Sequence, residues 1–515
     1  MAHRHLQLLL LLATLFSPVS SVAAAADEPA HAAESWYAIE FEGQRVGYEW
    51  VRTASHSPGR PDITQTDNSK LIRRERRTQL QLKRAGTRVS LAAVLVTTET
   101  PEGLLQAWEL TRTAADGSRI HRRGIWDGSR SAMRIDEPDH QDAAPVFAES
   151  QMQPHSPIFT EWLGQAAANE GFPKTVPVLF PESAIAADVE LQNLGNTTLE
   201  LSAGSRTAAR RFLWQPVSAP QLRTRVFLEA NTNRCLLVEQ PLLGGTLKLV
   251  RSTPEVALGI HSQQTLDLQL QTLLPVTGQV PESPPENGLR LKLTSNSPSP
   301  YSLANTSFQT VESRITDGLI VVCRTPKWPE PGQSLSGGRS RHRGDHAEYL
   351  GATRWIDSAD PAVQRLLNSA GGRSGTTAEQ CRQLSAFVNR RVQFSAFTTQ
   401  LQPASRVAAR LQGDCTEHTV LLCALLRSRG IPARAASGFA YVPQLTAFAP
   451  HLWTEALVDG IWMPLDSTIP DEAAMPLLLK VADSPLGNDL SGSVSLFAPL
   501  LPLCGQVSIT VISED

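Results

Sequence analysis

A thiol, an imidazole and a carboxylate follow one another near the C-terminal end of this sequence. They are Cys415, preceded by Gly413-Asp414, then His451 and then Asp466. In proteins a cysteine thiolate can attack a carbonyl carbon, an imidazole can carry the proton, and a carboxylate can hold the imidazole in place. These residue types in this order therefore predict an activated-cysteine site that transfers acyl groups through a thioester.

The sequence around Cys415 predicts a buried helix that begins at the thiol. Asp414 can cap this helix by accepting a backbone N–H, and the apolar residues 420–426 indicate that its body is buried. Gly430 suits the left-handed position just past the end, and Pro432 prevents continuation. Because unpaired N–H groups give the start of a helix a positive potential, we expect the pKa of Cys415 to be lowered.

A β-hairpin is predicted to bring the imidazole to the carboxylate. Asp459-Gly460 is a strong two-residue turn signal, and in-register pairing of the flanking strands places Trp453 opposite Asp466. His451 is two residues from Trp453, so it shares a face with Asp466 and lies roughly 7–8 Å from it at the backbone. A register slip of one residue would put the two side chains on opposite faces.

Together these motifs resemble the transglutaminase-like superfamily, the papain-related fold of transglutaminases, peptide N-glycanases and many bacterial cysteine hydrolases. The resemblance is carried by Gly413-Asp414-Cys415, Arg427, Gly430-Ile431-Pro432-Ala433-Arg434, Gly438, His451 with Trp453 and Glu455, and Trp462 with Asp466. It implies that Cys415 is the nucleophile, His451 the general base and acid, and Asp466 the group that orients the imidazole. Weaker similarity extends upstream through residues 376–410, so the resemblance covers roughly the last third of the chain.

Four further residues are candidates for the site. His418 lies one turn beyond Cys415 on the same helix, where it could tune the thiolate, bind substrate or hydrogen-bond inside the fold. Trp453 could line a substrate cleft or belong to the core. An oxyanion hole needs a donor besides the Cys415 N–H, and animal transglutaminases supply it from a tryptophan well before the cysteine. The segment before Cys415 has no such tryptophan, and Gln400 and Gln402 are the candidate donors.

Neither a metal nor a nucleic-acid partner is indicated. The sequence has no CxxC or HExxH pattern and nothing like a calcium loop, so we expect no metal and no cofactor. The formal net charge of −3 argues against a dedicated nucleic-acid binder. The expected partner is a protein or peptide substrate, and the oligomeric state stays open.

The N-terminus is typical of a secretory signal peptide. Arg4 precedes an apolar stretch at residues 6–16 and a region rich in small residues at 17–26. The apolar stretch is short for a membrane span, and no later segment is hydrophobic enough to cross a bilayer. We therefore expect residues 1–26 to be removed and the mature protein to be periplasmic or extracellular, without stable membrane insertion. The six cysteines could form disulfides there, but no pairing follows from the sequence.

Composition and periodicity predict an α+β protein with two main parts. Alternating patterns such as Tyr37, Ile39 and Phe41 before the turn Glu42-Gly43 indicate a mostly antiparallel β domain at residues 27–276, as one curved sheet or a sandwich. Residues 277–345 are expected to form Pro/Gly/Ser-rich linkers around a small β element. The transglutaminase-like (papain-like) catalytic domain is expected at 346–490. A final strand segment, at 491–515, is expected to pair with the N-terminal region.

The sequence favours an exported cysteine-nucleophile enzyme that cleaves or transfers peptide or glutaminyl amide groups. Water as acceptor gives a protease or amidase, and an amine gives a transglutaminase, with the same three residues in both. Hydrolysis is favoured by the bacterial character of the motifs and the missing tryptophan. The alternative is a non-catalytic binding or carrier protein on a retained transglutaminase-like fold.

Overall fold

The structure is a computed structural model of the 515-residue chain. It describes residues 32–56, 71–84, 87–113, 119–136, 146–150, 152–156, 163, 173–181, 185–202, 205–218, 220–242, 245–259, 267, 270–282, 284–295, 301–329, 343–371, 374–395, 401–470, 475–488 and 496–512. The predicted signal peptide at 1–26 lies outside these residues. The chain divides into two compact units between residues 268 and 269, here called the N-terminal and C-terminal units.

The N-terminal unit contains one sheet of fourteen strands, in which every named pairing is antiparallel. Its strands are β1 Ala32–Phe41, β2 Gln44–His56, β3 Leu71–Arg84, β4 Thr87–Glu99, β5 Leu105–Thr113, β6 Arg119–Asp127, β7 Ala132–Asp136, β8 Val146–Glu149, β9 Lys174–Phe180, β10 Ile185–Ser202, β11 Ser205–Pro216, β12 Thr224–Glu229, β13 Cys235–Leu242 and β14 Gly245–Ser252. The predicted alternation is present, since Tyr37, Ile39 and Phe41 of β1 are all buried. A short helix, α1, spans Pro254–Leu258.

The C-terminal unit combines a nine-stranded sheet with four helices. Its strands are β15 Leu274–Thr277, β16 Leu289–Ser295, β17 Gln309–Ile315, β18 Gly318–Cys323, β21 Ala433–Val442, β22 Ala447–Val458, β23 Ile461–Leu465, β24 Leu478–Ser484 and β25 Val507–Ile512, with a separate small pair, β19 Gln393–Phe394 and β20 Gln412–Gly413. The helices are α2 Pro361–Ser369, α3 Thr377–Arg391, α4 Ala404–Arg410 and α5 Cys415–Ser428. No helix in the described ranges is long and apolar enough to cross a membrane.

The strands of residues 289–323 and the last strand join the sheet that carries His451. The sheet order is β17-β18-β16-β25-β15-β22-β21-β24, with β23 paired to β22. The expectation that the last strand pairs with the N-terminal region is therefore wrong, because β25 pairs with β16 and β15. Its buried residues Val507 and Ile509 show why, since they complete the core of this unit. Helices are concentrated in this unit, so the α+β description applies to it rather than to the strand-dominated N-terminal unit.

Candidate active site

A gap along one edge of β22 receives the N-terminus of α5. On this edge β22 pairs with β15 at Phe448 and with β23 from Thr454 onward. Among the described residues, no strand pairs with this edge between those two points. Pro450 and Leu452 lie in the interval, and the Leu452 backbone N–H donates a hydrogen bond to the Cys415 thiol. The thiol thus takes a position that a neighbouring strand would otherwise occupy.

The start of α5 is fixed by a capping box of two carboxylates. Asp414 accepts a hydrogen bond from Thr416 N at 3.0 Å, and Glu417 Oε2 accepts one from Asp414 N at 3.0 Å. The helix therefore begins at Cys415, as predicted. Gly413 makes this closure possible, because a Cβ there would lie 2.2 Å from the Cβ of Glu417.

The hairpin holds the imidazole against the carboxylate in the predicted register. Val458 pairs with Ile461 across the turn, and Thr454 pairs with Leu465. His451 Nε2 lies 2.7 Å from Asp466 Oδ2. The strand β22 begins at Ala447, ahead of His451, because its pairing with β21 continues to that residue.

The tautomer of His451 follows from its partners. A carboxylate oxygen accepts, so Nε2 carries a proton towards Asp466. The other ring nitrogen, Nδ1, is then the one available to the Cys415 thiol, and His451 lowers the pKa of that thiol while Cys415 raises the pKa of His451. The thiol, the imidazole and the carboxylate therefore follow one another, with the imidazole hydrogen-bonded to the carboxylate.

Burial and mutual attraction set the protonation of the three groups. Burial by itself would lower the pKa of His451, but Asp466 and then Cys415 outweigh it and raise that pKa to about 10. Burial would raise the pKa of Asp466, but His451 and Thr468 hold it down at about 2. The pair is therefore an imidazolium beside a carboxylate at neutral pH.

The thiol does not have the lowered pKa that the sequence predicts. Burial, followed by the nearby Asp414 carboxylate, raises the pKa of Cys415, while His451 acts in the opposite direction. The cause is the depth of the site: Cys415 and His451 are each 1% exposed and Asp466 is 5% exposed. In this structure the three groups are therefore almost fully shielded from solvent.

The further candidate residues have different surroundings. His418 Nδ1 lies 2.7 Å from the Asp414 carbonyl oxygen, which can only accept, so this imidazole bonds within its own helix. Trp453 stacks on His451 with ring centroids 6.3 Å apart and an interplanar angle of 25°. It also belongs to a buried cluster with Phe308, Ala436, Ala440 and Leu478, so it is a core residue that contacts the imidazole.

Among the described residues, no contact brings the candidate donor Gln402 to the thiol. Gln402 Oε1 accepts a hydrogen bond from Arg406 Nη1 at 3.1 Å. Gln400 lies outside the described residues. In the described part of the chain, no group of three or more His, Cys, Asp or Glu side chains is arranged to hold a metal ion.

The sequence did not predict the residues that hold Asp466 and the next residue in place, which are Thr468 and Asn389. Asp466 Oδ1 accepts hydrogen bonds from Thr468 N at 2.9 Å and Thr468 Oγ1 at 2.6 Å. Asn389 of α3 donates from Nδ2 to the Ser467 carbonyl oxygen at 3.1 Å. The Asp-x-Thr pattern could have indicated the first contact, because an aspartate often accepts from the backbone two residues on. Nothing in the sequence indicates the second contact.

A family model described as the transglutaminase-like superfamily matches residues 364–467. Comparison with curated proteins gives no match. Among solved structures, the chain is similar to a candidate cysteine protease from Cytophaga hutchinsonii, at 17% identity and a TM-score of 0.31, covering 44% of this chain and 92% of that one. It is also similar to the periplasmic domain of TgpA from Pseudomonas aeruginosa, at 15% identity and a TM-score of 0.23, covering 38% of this chain and 87% of that one. The match to the transglutaminase-like superfamily thus covers the segment that holds Cys415, His451 and Asp466.

Proposed function

We propose that this protein is a cysteine-nucleophile enzyme that cleaves amide bonds of a protein or peptide through a thioester. The observation that carries the proposal is the hydrogen bond from His451 to Asp466 beside the Cys415 thiol, which lies at the start of a helix and has its pKa lowered by His451. Each side chain meets the partner that its role requires.

The steps follow from the protons that these groups hold. The Cys415 thiol loses its proton to solvent, which leaves a thiolate beside the His451 imidazolium, and the sulfur forms a bond to the substrate carbonyl carbon. The oxyanion accepts from the Cys415 backbone N–H. The His451 imidazolium then gives its proton to the leaving nitrogen as the C–N bond breaks, which leaves a thioester and a neutral imidazole. A water molecule, deprotonated by the neutral His451, attacks the thioester and releases the acid, and the thiolate and the imidazolium are regenerated.

Hydrolysis is proposed over transfer to an amine, because the segment before Cys415 lacks the tryptophan that animal transglutaminases use. Export is proposed from the leader-like sequence at 1–26, so the substrate would be a periplasmic or extracellular protein. A non-catalytic binding protein is the second candidate, and the burial of the thiol favours it.

The test is turnover of a labelled peptide library and of labelled protein, with and without a primary amine. Wild-type protein is expected to release acid products, and Cys415→Ala is expected to release none while keeping its melting temperature. Turnover that persists in Cys415→Ala would overturn the enzyme proposal. Incorporation of the amine in place of hydrolysis would show that the acyl acceptor is an amine rather than water, with Cys415 still the nucleophile.

A further inference from the structure

We propose that Thr468 and Asn389 are positioning residues that hold the Asp466 carboxylate against His451. The inference rests on the proposed function, since it names the groups that support its orienting carboxylate. Thr468 gives both its backbone N–H and its hydroxyl to Asp466 Oδ1, at 2.9 and 2.6 Å. The second oxygen, Oδ2, is left facing His451 Nε2 at 2.7 Å. Oδ1 therefore binds Thr468, and Oδ2 binds His451.

Because the site is buried, each hydrogen bond to the Asp466 carboxylate is important for its orientation. Asp466 and Thr468 are both buried, so a carboxylate oxygen that loses a donor is not compensated by solvent. Without the Thr468 hydroxyl, Oδ1 would keep one donor and the carboxylate could rotate about its last bond. Thr468 also helps to hold the pKa of Asp466 low, after the larger influence of His451.

The turn after β23 is tied to two helices. Asn389 Nδ2 of α3 donates to the Ser467 carbonyl oxygen at 3.1 Å. The Ser467 hydroxyl donates to the His418 carbonyl oxygen of α5 at 3.4 Å. Since α5 begins at Cys415, these contacts fix the carboxylate relative to the thiol as well as to the imidazole. A strand end by itself would leave the carboxylate free to shift.

The experiment compares Thr468→Val, which keeps the shape and removes the hydroxyl, with Thr468→Ser, which keeps the hydroxyl. Asn389→Leu removes the amide donor from α3. The matched control is Thr454→Val, because Thr454 is an equally buried threonine whose hydroxyl donates to the Thr419 carbonyl oxygen at 3.2 Å. A general loss of packing would affect the control as much as the other variants.

Two readouts separate positioning from stability. Long-range ¹H–¹⁵N NMR measures the His451 titration midpoint, and steady-state kinetics measures kcat and KM. Thr468→Val and Asn389→Leu are expected to bring the His451 midpoint down from about 10 and to lower kcat at least tenfold with little change in KM. Thr468→Ser is expected to restore both readouts, and Thr454→Val is expected to change neither.

An unchanged His451 midpoint in Thr468→Val and Asn389→Leu would overturn this inference. An equal shift in Thr454→Val would also overturn it, because the effect would then be general packing. Failure of the proposed function would look different: wild-type protein would turn over no substrate, while the NMR titration would still report on the positioning contacts.

Discussion

His451 Nε2 and Asp466 Oδ2 lie 2.7 Å apart although fifteen positions of sequence separate them. The tight turn at Asp459-Gly460 accounts for this, because it sets the register in which β22 and β23 pair. With Nε2 engaged by the carboxylate, Nδ1 is directed to the Cys415 thiol. One turn therefore determines both the tautomer of the imidazole and the nitrogen that serves the thiol.

Replacing Asp466 with Asn should slow turnover strongly while the fold is kept. An amide carries no charge to stabilise the imidazolium and can donate to Nε2, so it would favour a neutral ring with its proton on Nδ1 and remove the positive charge beside the Cys415 thiolate. We expect kcat to fall by roughly 10³–10⁴-fold, as for the same change in other enzymes of this type.

The matched control is Asp459→Asn in the turn of the same hairpin. Asp459 has a positive φ of 49°, a conformation that asparagine tolerates well. Steady-state kinetics of the two variants checks the prediction. If the Asp466→Asn variant were as active as the Asp459→Asn variant, the Asp466 carboxylate would have no role in the mechanism.

Alkylation of Cys415 by iodoacetamide should be slow in the resting protein. Burial raises the thiol pKa and limits access of the reagent, so the rate is expected to rise only at alkaline pH, above the ordinary thiol pKa of about 8.5. Mass spectrometry at each pH assigns the modified cysteine, and urea-unfolded protein gives the unprotected rate. In His451→Ala the midpoint should rise further, because His451 lowers the thiol pKa. Rapid modification of the folded wild type at about pH 6 would contradict the prediction.

The stability of the C-terminal unit should fall as pH rises above the ordinary pKa of histidine. The folded His451 pKa is about 10, so between the unfolded and the folded pKa the protein releases a proton when it unfolds. The raised pKa therefore contributes to the free energy of unfolding, and this contribution is fully present below about pH 6.5 and is lost as the pH rises towards 10. The slope should approach about 1.4 kcal/mol per pH unit between about pH 6.5 and 8. Urea unfolding across this window measures it.

The control for this pH dependence is Asp466→Asn, which removes the main group that raises the His451 pKa. Its unfolding free energy should depend less on pH over the same window. The pH window of about 6.5 to 8 ends below the ordinary thiol pKa, so the buried cysteines do not contribute to the slope of unfolding free energy against pH. Equal slopes in the two proteins would show that the imidazole–carboxylate pair is not the source.

Gly413→Ala should destabilise the C-terminal unit and displace the thiol. The added Cβ would lie 2.2 Å from the Glu417 Cβ, so Glu417 could no longer close the capping box, which is worth about 1 kcal/mol or more. Gly351→Ala is the control, since its added Cβ would meet only the Ala347 carbonyl oxygen at an ordinary 3.5 Å. Thermal melting and turnover of both variants test this. Equal behaviour of the two would mean that Gly413 has no special packing role.

Local signals made much of the site predictable. The cap at Asp414, the helix that begins at Cys415 and the Asp459-Gly460 turn each depend on residues within a few positions of one another. Asn389, by contrast, is 78 positions from the carbonyl that it contacts, and no local pattern connects the two. Leu452 likewise reaches the thiol because, in the part of the chain that the structure describes, no strand pairs with that edge of β22 between β15 and β23.

The sequence by itself determined the order of the chemical groups, the start of the helix at Cys415 and the hairpin register, because these follow from short-range backbone preferences. The tertiary structure decided the environment of the groups. It buried Cys415 deeply enough to raise a pKa that the helix start was expected to lower. It also joined β25 to the strands of 289–323 instead of the N-terminal region. Burial and strand pairing depend on which distant segments pack together, and that information is not contained in any local stretch of sequence.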